Sequence, residues 1–529
     1  MIQQIDYYVI APPLVLALVA ALVLLLDAFL PARPGTRTAL GLVTLAGVAI
    51  SLAFVVAQAL SGGPPRSTFC VPPNLAGPAG QGPAMCSFVA DRFTLVFAGM
   101  VLVAAVVVVL MSMTQLADGG IPVGEWYFLL LCTLVGAITL PASRDLVMLV
   151  VALELVSLPV FALTAMKRYD GRASEAAVKL FVVSVVSTAI MLFGVSLLYG
   201  IAGAIYLSRL AAVFSGQIEA PGVDPALVQG LPAVVTVGVV LVVAGFAFKI
   251  AAVPFHSWAA DVYQGASVPV AALLSVISKA AGFAGLILVL VVGLSGQAAT
   301  WAPIIGIVAA LTMTAGNLLA MRQRSAVRLL AWSSVAQSGY ILAPLAITAA
   351  SGAVGTSMAY LVIYAAMNLG AFAVVMLISR TVTRNELDDY RGLAFRSPAA
   401  GLALAFCLVC LAGLPPGLAG LFAKVFVFRE LVVGGSGWLA LIMAVNTVIG
   451  LYYYATWTAR LFTPTPGTSR APTSPIPSAT GESLPPASPT PHRPPATTWL
   501  AIGLALVVAV LFSFAPQVVL DMTSLSAFG

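Results

Sequence analysis

The chain has 529 residues, of which 61% are hydrophobic and only 8% are charged. A soluble protein carries about 25% charged residues, and a soluble globule of this length with so few charges would aggregate through exposed apolar patches. The composition excludes a disordered chain, a disulfide-stapled secreted domain and a nucleic-acid-binding protein. The net charge of +6 does not indicate a nucleic-acid partner, because most basic residues are Arg residues scattered among short loops. A protein embedded in the lipid bilayer fits these numbers.

Long apolar segments recur along the whole chain. A bilayer core needs about 20 apolar residues per helix. Continuous runs such as VLVAAVVVVL and GVVLVVAGFAF lack the alternation of a membrane β-barrel. We therefore predict an all-α polytopic membrane protein with about 14 transmembrane helices. The predicted spans are 8–30, 38–60, 88–112, 124–141, 145–166, 175–199, 231–256, 267–293, 301–321, 325–349, 355–379, 399–433, 437–461 and 498–516.

Loop charges predict the orientation of these helices. With the N-terminus outside, fifteen basic residues fall in or beside inside loops and four in or beside outside loops. This bias follows the positive-inside rule, and an even number of helices then leaves both termini outside. The first span is too long for a cleavable signal and has no basic residues before it.

Three segments follow from this pattern. Residues 1–461 form the predicted transmembrane bundle of helices 1–13, and residues 498–529 form the last helix and a tail. Between them, residues 462–497 are rich in Pro, Ser and Thr and show no apolar period. Such composition predicts a disordered cytoplasmic linker.

The cysteines provide no recognisable cofactor site. Cys70 and Cys86 share a predicted outside loop, where they could form a disulfide in an oxidising compartment or stay as free thiols, and the sequence leaves both states open. Cys407 and Cys410 form a CxxC pair inside an apolar helix. A metal or cluster needs about four ligands, and no His or further Cys lies nearby, so apolar packing is favoured. Nucleotide-binding glycine motifs are also missing, so any redox cofactor would belong to another chain.

Ionisable residues interrupt several apolar spans. Glu154, Lys249, Lys279 and Lys424 lie within spans, and Lys179 lies nearer a helix end. Each such residue costs about 2.5–3.5 kcal/mol at mid-bilayer, so a functional role is expected. The alternative is snorkelling to the interface, which fits Lys179 as well as a functional role does. Glu154 and Lys279 lie near mid-span, where snorkelling fits poorly.

Prolines accompany these charges. A proline inside a helix removes one backbone hydrogen bond and displaces the carbonyl four residues earlier, which for Pro254 is that of Ile250. In lipid, such a carbonyl is tolerated only beside protein or water, so a broken helix beside a lysine predicts a hydrated cavity at that lysine. A plain packing kink is the alternative at any single proline. The prolines concerned are Pro159, Pro254, Pro269, Pro415 and Pro416.

These features together predict a proton relay. Burial lowers the pKa of a lysine toward neutrality, and a nearby carboxylate acts in the opposite direction. Moving Glu154 relative to a lysine could therefore switch that lysine between holding and releasing a proton. His256 is the only histidine outside the linker; it could pass protons or cap a helix end. The polar residues of AWSSVAQSGYIL could order a water wire or hold helices together.

Three segments carry a resemblance to a known family. FKIAAVPFHSWAADVYQGASVPVAALLSVISKAAGF, SAVRLLAWSSVAQSGYIL and LDDYRGLAFRSP resemble subunit N of NADH-quinone oxidoreductase, respiratory complex I. The likeness covers nearly the whole chain, and PFHSWAADVYQGA is its most specific piece. The Pro-rich tract at 462–497 is an addition to the family pattern.

The resemblance implies a fold and a set of roles. It implies two inverted five-helix repeats of the antiporter-like kind, each with one broken helix, here Lys249–Pro254 and Pro415–Lys424. Glu154 would pair with Lys249 at the input, and Lys179 would modulate that pair. Lys279 would be the central relay and Lys424 the output.

The resemblance also implies the surroundings of the chain. The partners would be the bilayer and other membrane subunits of complex I, in a bacterial cell membrane. FMN, iron–sulfur clusters and quinone would be bound by those other subunits, and none by this chain. Two alternatives remain: a subunit of a multi-subunit cation/proton antiporter, and a scaffold that only anchors a neighbour.

Overall fold

The computed structural model describes residues 5–31, 33–72, 85–167, 170–217, 232–347, 352–382, 384–464 and 496–524. Within these ranges the chain is a helical bundle with one small sheet. The helices are α1 (Ala11–Phe29), α2 (Pro34–Leu60), α3 (Arg92–Ala117), α4 (Val123–Thr139), α5 (Leu146–Ala165), α6 (Gly171–Ala202), α7 (Leu207–Phe214), α8 (Pro232–Lys249), α9 (Trp258–Gly265), α10 (Val268–Gly293), α11 (Ala298–Ala320), α12 (Ala326–Leu342), α13 (Ala353–Ser379), α14 (Pro398–Ala412), α15 (Leu418–Val433), α16 (Gly437–Leu461), α17 (Ala496–Phe514) and α18 (Pro516–Thr523).

Eleven helices in the described ranges are long and apolar enough to cross a membrane. The shorter apolar helices include 233–249 and 398–412. The polytopic helical class is thus confirmed, whereas the number of about 14 spans stays a prediction. Most of the predicted linker, 465–495, lies outside the described residues, so its character also stays a prediction.

Two predicted spans were drawn too long. The span 231–256 ends as a helix at Lys249, and the span 399–433 is two helices that flank residues 413–417. The prolines explain both differences, since Pro254 and Pro415–Pro416 cannot continue an α-helix. The two breaks lie where the resemblance implied them.

A two-stranded antiparallel sheet is the part of the fold that the all-α prediction missed. Strand β1 (Arg66–Cys70) pairs with β2 (Cys86–Ala90), with Cys70 opposite Cys86. The two cysteines form a disulfide bond, which resolves the question left open by the sequence. Buried and half-buried residues alternate along β2, as expected for a strand with one face against the bundle.

Aspartates begin several of the helices. Asp91 accepts a hydrogen bond from the Thr94 backbone N–H at 2.9 Å at the start of α3. Asp145 caps α5 in the same way through Met148, at 2.7 Å. These N-caps satisfy backbone donors that have no partner within the helix. They also keep a carboxylate at the end of an apolar segment rather than inside it.

The centre of the bundle is formed by α10, α12 and α13, whose residues are buried along nearly their whole length. Outer helices such as α1 and α6 leave one side exposed, as lipid-facing helices do. Helix α10 contains two π-helical turns, and Lys279 follows the first of them, Leu274–Ser278. Such turns recur at functional sites. The central layer therefore carries the site.

Candidate functional site

Lys279 lies at the centre of the bundle with a side chain that is only 1% exposed. Its Nζ donates hydrogen bonds to Ser334 Oγ at 2.6 Å and to Ser338 Oγ at 2.8 Å, and also to the Ser334 carbonyl. No carboxylate contacts this ammonium within the described ranges. A buried charge needs such polar partners, and α12 supplies all three oxygen atoms.

The hydroxyls around Lys279 extend to α13 and α10. Tyr364 donates to Ser334 Oγ at 2.9 Å and to the Ser275 carbonyl at 3.2 Å. The Asn368 amide nitrogen donates to Ser275 Oγ at 2.8 Å. Hydroxyl groups both donate and accept hydrogen bonds. Lys279 is therefore linked to a connected set of polar groups.

The break between α8 and α9 reaches the same cluster. The Ile250 carbonyl, which Pro254 leaves without its helical donor, accepts a hydrogen bond from Ser338 Oγ at 2.7 Å. Ser338 also contacts Lys279. The freed carbonyl is therefore satisfied by a protein side chain, and the hydrated cavity expected beside Lys249 stays a prediction.

Lys249 is the last residue of α8 and is buried. Its Nζ contacts Ser157 Oγ on α5. Glu154 and Ser157 are three residues apart, so they lie on one face of α5. The Glu154 carboxylate itself accepts a hydrogen bond from Thr188 Oγ1 at 2.7 Å. Lys249 therefore lies beside Glu154 without a direct ion pair.

Lys424 lies in α15, just after the second break, and is also buried. Its Nζ donates to the carbonyls of Ala412 at 2.7 Å and Leu411 at 3.2 Å, which end α14. The C-terminal end of a helix carries partial negative charge and stabilises a cation. Gly413 ends α14 with a left-handed φ of 81°, which allows this close approach.

Aromatic and amide groups connect α12 to Lys424. The Lys424 Nζ lies 5.5 Å from the centre of the Tyr340 ring, within the range of a cation–π interaction. Tyr340 stacks on Tyr360 with ring centres 6.2 Å apart, and Tyr360 donates to Gln337 Oε1 at 2.7 Å. Gln337 lies one turn after Ser334 and directly before Ser338 on the same helix. No hydrogen bond joins Gln337 to those serines in the described part of the chain.

A second polar cluster surrounds the Tyr340 hydroxyl. The Asn317 amide nitrogen donates to Tyr340 at 3.0 Å and to Asn446 Oδ1 at 3.2 Å. Tyr453 donates to Asn317 Oδ1 at 3.0 Å. All four side chains are buried. Polar groups thus continue past Lys424 toward α11 and α16.

Lys179 and His256 lie apart from the buried lysines. Lys179 is 44% exposed and forms ion pairs with Glu175 at 2.6 Å and Asp261 at 3.2 Å. Arg328 completes this cluster by pairing with Asp261 at 2.8 Å. His256 lies in the break after α8 and packs edge-on against Trp332, with ring centres 5.6 Å apart. The roles suggested for Lys179 and His256 stay predictions.

Several contact residues were missed by sequence reasoning. Ser157, Thr188, Tyr364 and Asn317 each bind a site residue or one of its partners. One signal was present, because Ser157 follows Glu154 at helical spacing in VALELVSLPV. The other three lie on helices distant in sequence, and only the packing of the bundle brings them to the site.

Comparisons with known proteins identify the family and the fold of the chain. The family of transmembrane subunits described as NADH:quinone oxidoreductase/Mrp antiporter matches residues 143–450. The chain is 48% identical to NADH-quinone oxidoreductase subunit N 2 of Streptomyces griseus, over 100% of this chain and 95% of that protein. A chain of respiratory complex I from Thermus thermophilus is 26% identical with a TM-score of 0.71, covering 96% of this chain and 98% of that chain.

The Mrp complex from Dietzia is similar in fold alone, at 22% identity and a TM-score of 0.75, covering 96% of both chains. The class of the protein is therefore an antiporter-like, polytopic membrane subunit, as the sequence predicted. Within that class, the chain belongs to the subunit N family of NADH-quinone oxidoreductase.

Proposed function

We propose that this subunit moves protons across a bacterial plasma membrane, driven by electron transfer from NADH to quinone on other subunits of its complex. Those subunits would bind FMN, iron–sulfur clusters and quinone, and both termini of this chain would face outside. The observation that carries the proposal is the surroundings of Lys279. A fully buried ammonium held by two serine hydroxyls and a carbonyl is costly, and it adjoins a break in a membrane helix.

The input step rests on Glu154 and Lys249. A carboxylate about 4 Å from an ammonium contributes about 4 kcal/mol at an effective dielectric of 20. In the structure Lys249 contacts Ser157, one turn from Glu154, while Thr188 binds the carboxylate. A shift of Lys249 by one helical turn would create or break the direct pair. That shift would switch Lys249 between holding and releasing its proton.

The central step passes a proton from the α8 break to Lys279. Ser338 contacts both the Ile250 carbonyl, next to Lys249, and the Lys279 ammonium. A hydroxyl can accept one proton while it donates another. The Ile250 carbonyl itself passes no proton, so a proton that leaves Lys249 would reach Ser338 through water in the break, and Ser338 would pass it to Lys279 as the central relay.

The output step passes from Lys279 to Lys424 along α12. Ser334 and Ser338 lie at one end of this path, and Gln337, Tyr360 and Tyr340 lead toward Lys424. The gap between the serines and Gln337 would be crossed by side-chain movement or by water. The α14 carbonyls would hold the proton on Lys424 until its release outside.

Lys179 and His256 have secondary roles in this proposal. Lys179 would modulate the Glu154–Lys249 pair from the protein surface, through the charges of Glu175 and Asp261. His256 lies in the α8 break and would exchange protons there when the break is hydrated.

The test is purification of the native complex through a tag on this chain. The proposal predicts flavin and iron–sulfur signals in the purified complex, and NADH-driven acidification in proteoliposomes. A complex without flavin that exchanges a cation for protons without NADH would instead support the antiporter alternative. Unchanged proton-to-electron stoichiometry in a Lys249→Ala/Lys279→Ala double variant would support the scaffold alternative.

A further inference from the structure

A large groove lies between α2, α3, α13 and α17, away from every relay residue named above. Its volume is about 950 Å³, at the upper end of the range of about 300–1,000 Å³ for small-molecule sites. A groove of this size needs an occupant in the membrane, because empty apolar space loses contacts on its whole lining.

The body of the groove is apolar and floored by small side chains. Gly99 and Ala104 of α3, Ala365 and Ala366 of α13, and Ala505 of α17 line it. A Cβ added at Gly99 would meet only one atom, at 4.0 Å. The groove is therefore open at Gly99, and its apolar lining suits hydrocarbon chains.

One end of the groove is cationic. Arg66 and Arg92 both line it, next to the small sheet, and both are exposed. Arg92 donates to the backbone carbonyls of Met522 and Asp521, and Arg66 lies over the Tyr8 ring at 5.1 Å.

The acidic residue at this end is already engaged. Asp91 also lines the groove, but it pairs with Arg144 at 2.5 Å. Neither Arg66 nor Arg92 forms an ion pair with a carboxylate in the described ranges. The end of the groove therefore carries two arginines that no carboxylate pairs with among the described residues.

We propose that this groove binds an anionic phospholipid, with its acyl chains along α3 and its phosphate between Arg66 and Arg92. Guanidinium groups bind phosphate oxygens in a bidentate manner, and the apolar body matches the acyl chains. A neutral lipid or an apolar helix of another subunit would leave the two arginines without an anion. Free phosphate would leave the apolar body empty. The site is independent of the proton relay.

The test uses the intact complex, stripped of loosely held lipid and re-equilibrated with phosphatidylglycerol or phosphatidylcholine. Native mass spectrometry then counts the lipid retained per complex. The wild-type complex equilibrated with phosphatidylglycerol is expected to retain at least one more lipid molecule than the wild-type complex equilibrated with phosphatidylcholine. Arg66→Gln/Arg92→Gln should weaken phosphatidylglycerol binding about tenfold, equivalent to about 1.4 kcal/mol. A third arm with inorganic phosphate alone tests for a simple anion site.

A matched pair of glycine variants controls for the loss of charge. Gly99→Leu places a side chain inside the groove, whereas Gly503→Leu adds the same side chain on α17 at a position that does not line the groove and where a Cβ meets nothing within 4 Å. Gly99→Leu should lose the extra lipid and Gly503→Leu should keep it, even if the arginine variant fails to assemble. Retention of the extra phosphatidylglycerol in Gly99→Leu would overturn the proposal. So would a polypeptide helix in the groove of the intact complex, or inorganic phosphate that displaces the lipid from the wild type, because free phosphate cannot replace the acyl chains.

Discussion

Ser338 Oγ lies 2.7 Å from the Ile250 carbonyl oxygen, although the two residues are 88 positions apart in the chain. Pro254 deprives that carbonyl of its helical partner, and Ser338 replaces it. The same hydroxyl contacts Lys279 at 2.8 Å. One hydroxyl therefore satisfies the break in one helix and solvates the buried ammonium of another.

We expect Ser338→Ala to destabilise the helix break after α8 and to remove a hydrogen-bond partner of Lys279. An unsatisfied buried carbonyl costs about 1–3 kcal/mol, so the melting temperature of the purified complex should fall, and proton pumping should fall with it. Ser112→Ala is the matched control, because the buried Ser112 hydroxyl has no hydrogen-bond partner in the described ranges. Equal effects of the two substitutions would show that the Ser338 bond is unimportant.

The sequence predicted the parts of this site that depend on local pattern. Glu154, Lys249, Lys279 and Lys424 are charges in apolar runs, and prolines mark both helix breaks, so composition was sufficient. The contacts between helices depend on which faces meet, and no periodicity in the chain specifies that. The Lys424 interaction with the end of α14 is one such contact. The small sheet was missed because its strands have five residues each.

We expect Gly413→Ala to reduce proton pumping by more than its loss of stability alone would. A left-handed φ costs a non-glycine residue about 1–2 kcal/mol, and a Cβ at Gly413 would also lie 3.2 Å from Lys424 Cδ. Gly435→Ala is the control, since its φ of 74° is similar and a Cβ there meets nothing within 4 Å. Both variants should lower the melting temperature similarly. If pumping were equally affected in both, crowding of Lys424 would have no role.

Lys179 should behave as a modulator rather than a carrier. It is partly exposed and ion-paired, and such pairs contribute only about 0–1 kcal/mol. Lys179→Gln should therefore reduce pumping several-fold less than Lys249→Gln, and high ionic strength should shrink the difference from wild type. Lys167→Gln, which removes the exposed pair with Asp170, should match wild type. A loss as complete as that of Lys249→Gln at every ionic strength would identify Lys179 as a proton carrier.

The contribution of Asp388, in the loop after α13, to the stability of the fold should not depend on pH near neutrality. Arg391 donates to Asp388 at 2.9 Å, and this hydrogen bond, with the Arg460 charge, holds the pKa of Asp388 below its usual value. Because the pKa of Asp388 is lower in the folded state, its ionised carboxylate stabilises the fold at any pH above the unfolded pKa of about 3.9. This stabilisation is lost as the pH falls through the pKa of the folded state. Asp388→Asn should thus lower the melting temperature equally at pH 6 and pH 8. A difference between these two pH values would contradict the assignment.

The most direct test of the proton relay is Lys279→Ala in the intact complex, reconstituted in proteoliposomes. NADH oxidation and internal acidification are measured together, with Lys167→Ala as the surface control. Loss of the buried ammonium that the α12 hydroxyls solvate should lower the number of protons moved per NADH, whereas Lys167→Ala should not change it. If Lys279→Ala pumps at the full rate and stoichiometry, Lys279 carries no protons and the relay is contradicted.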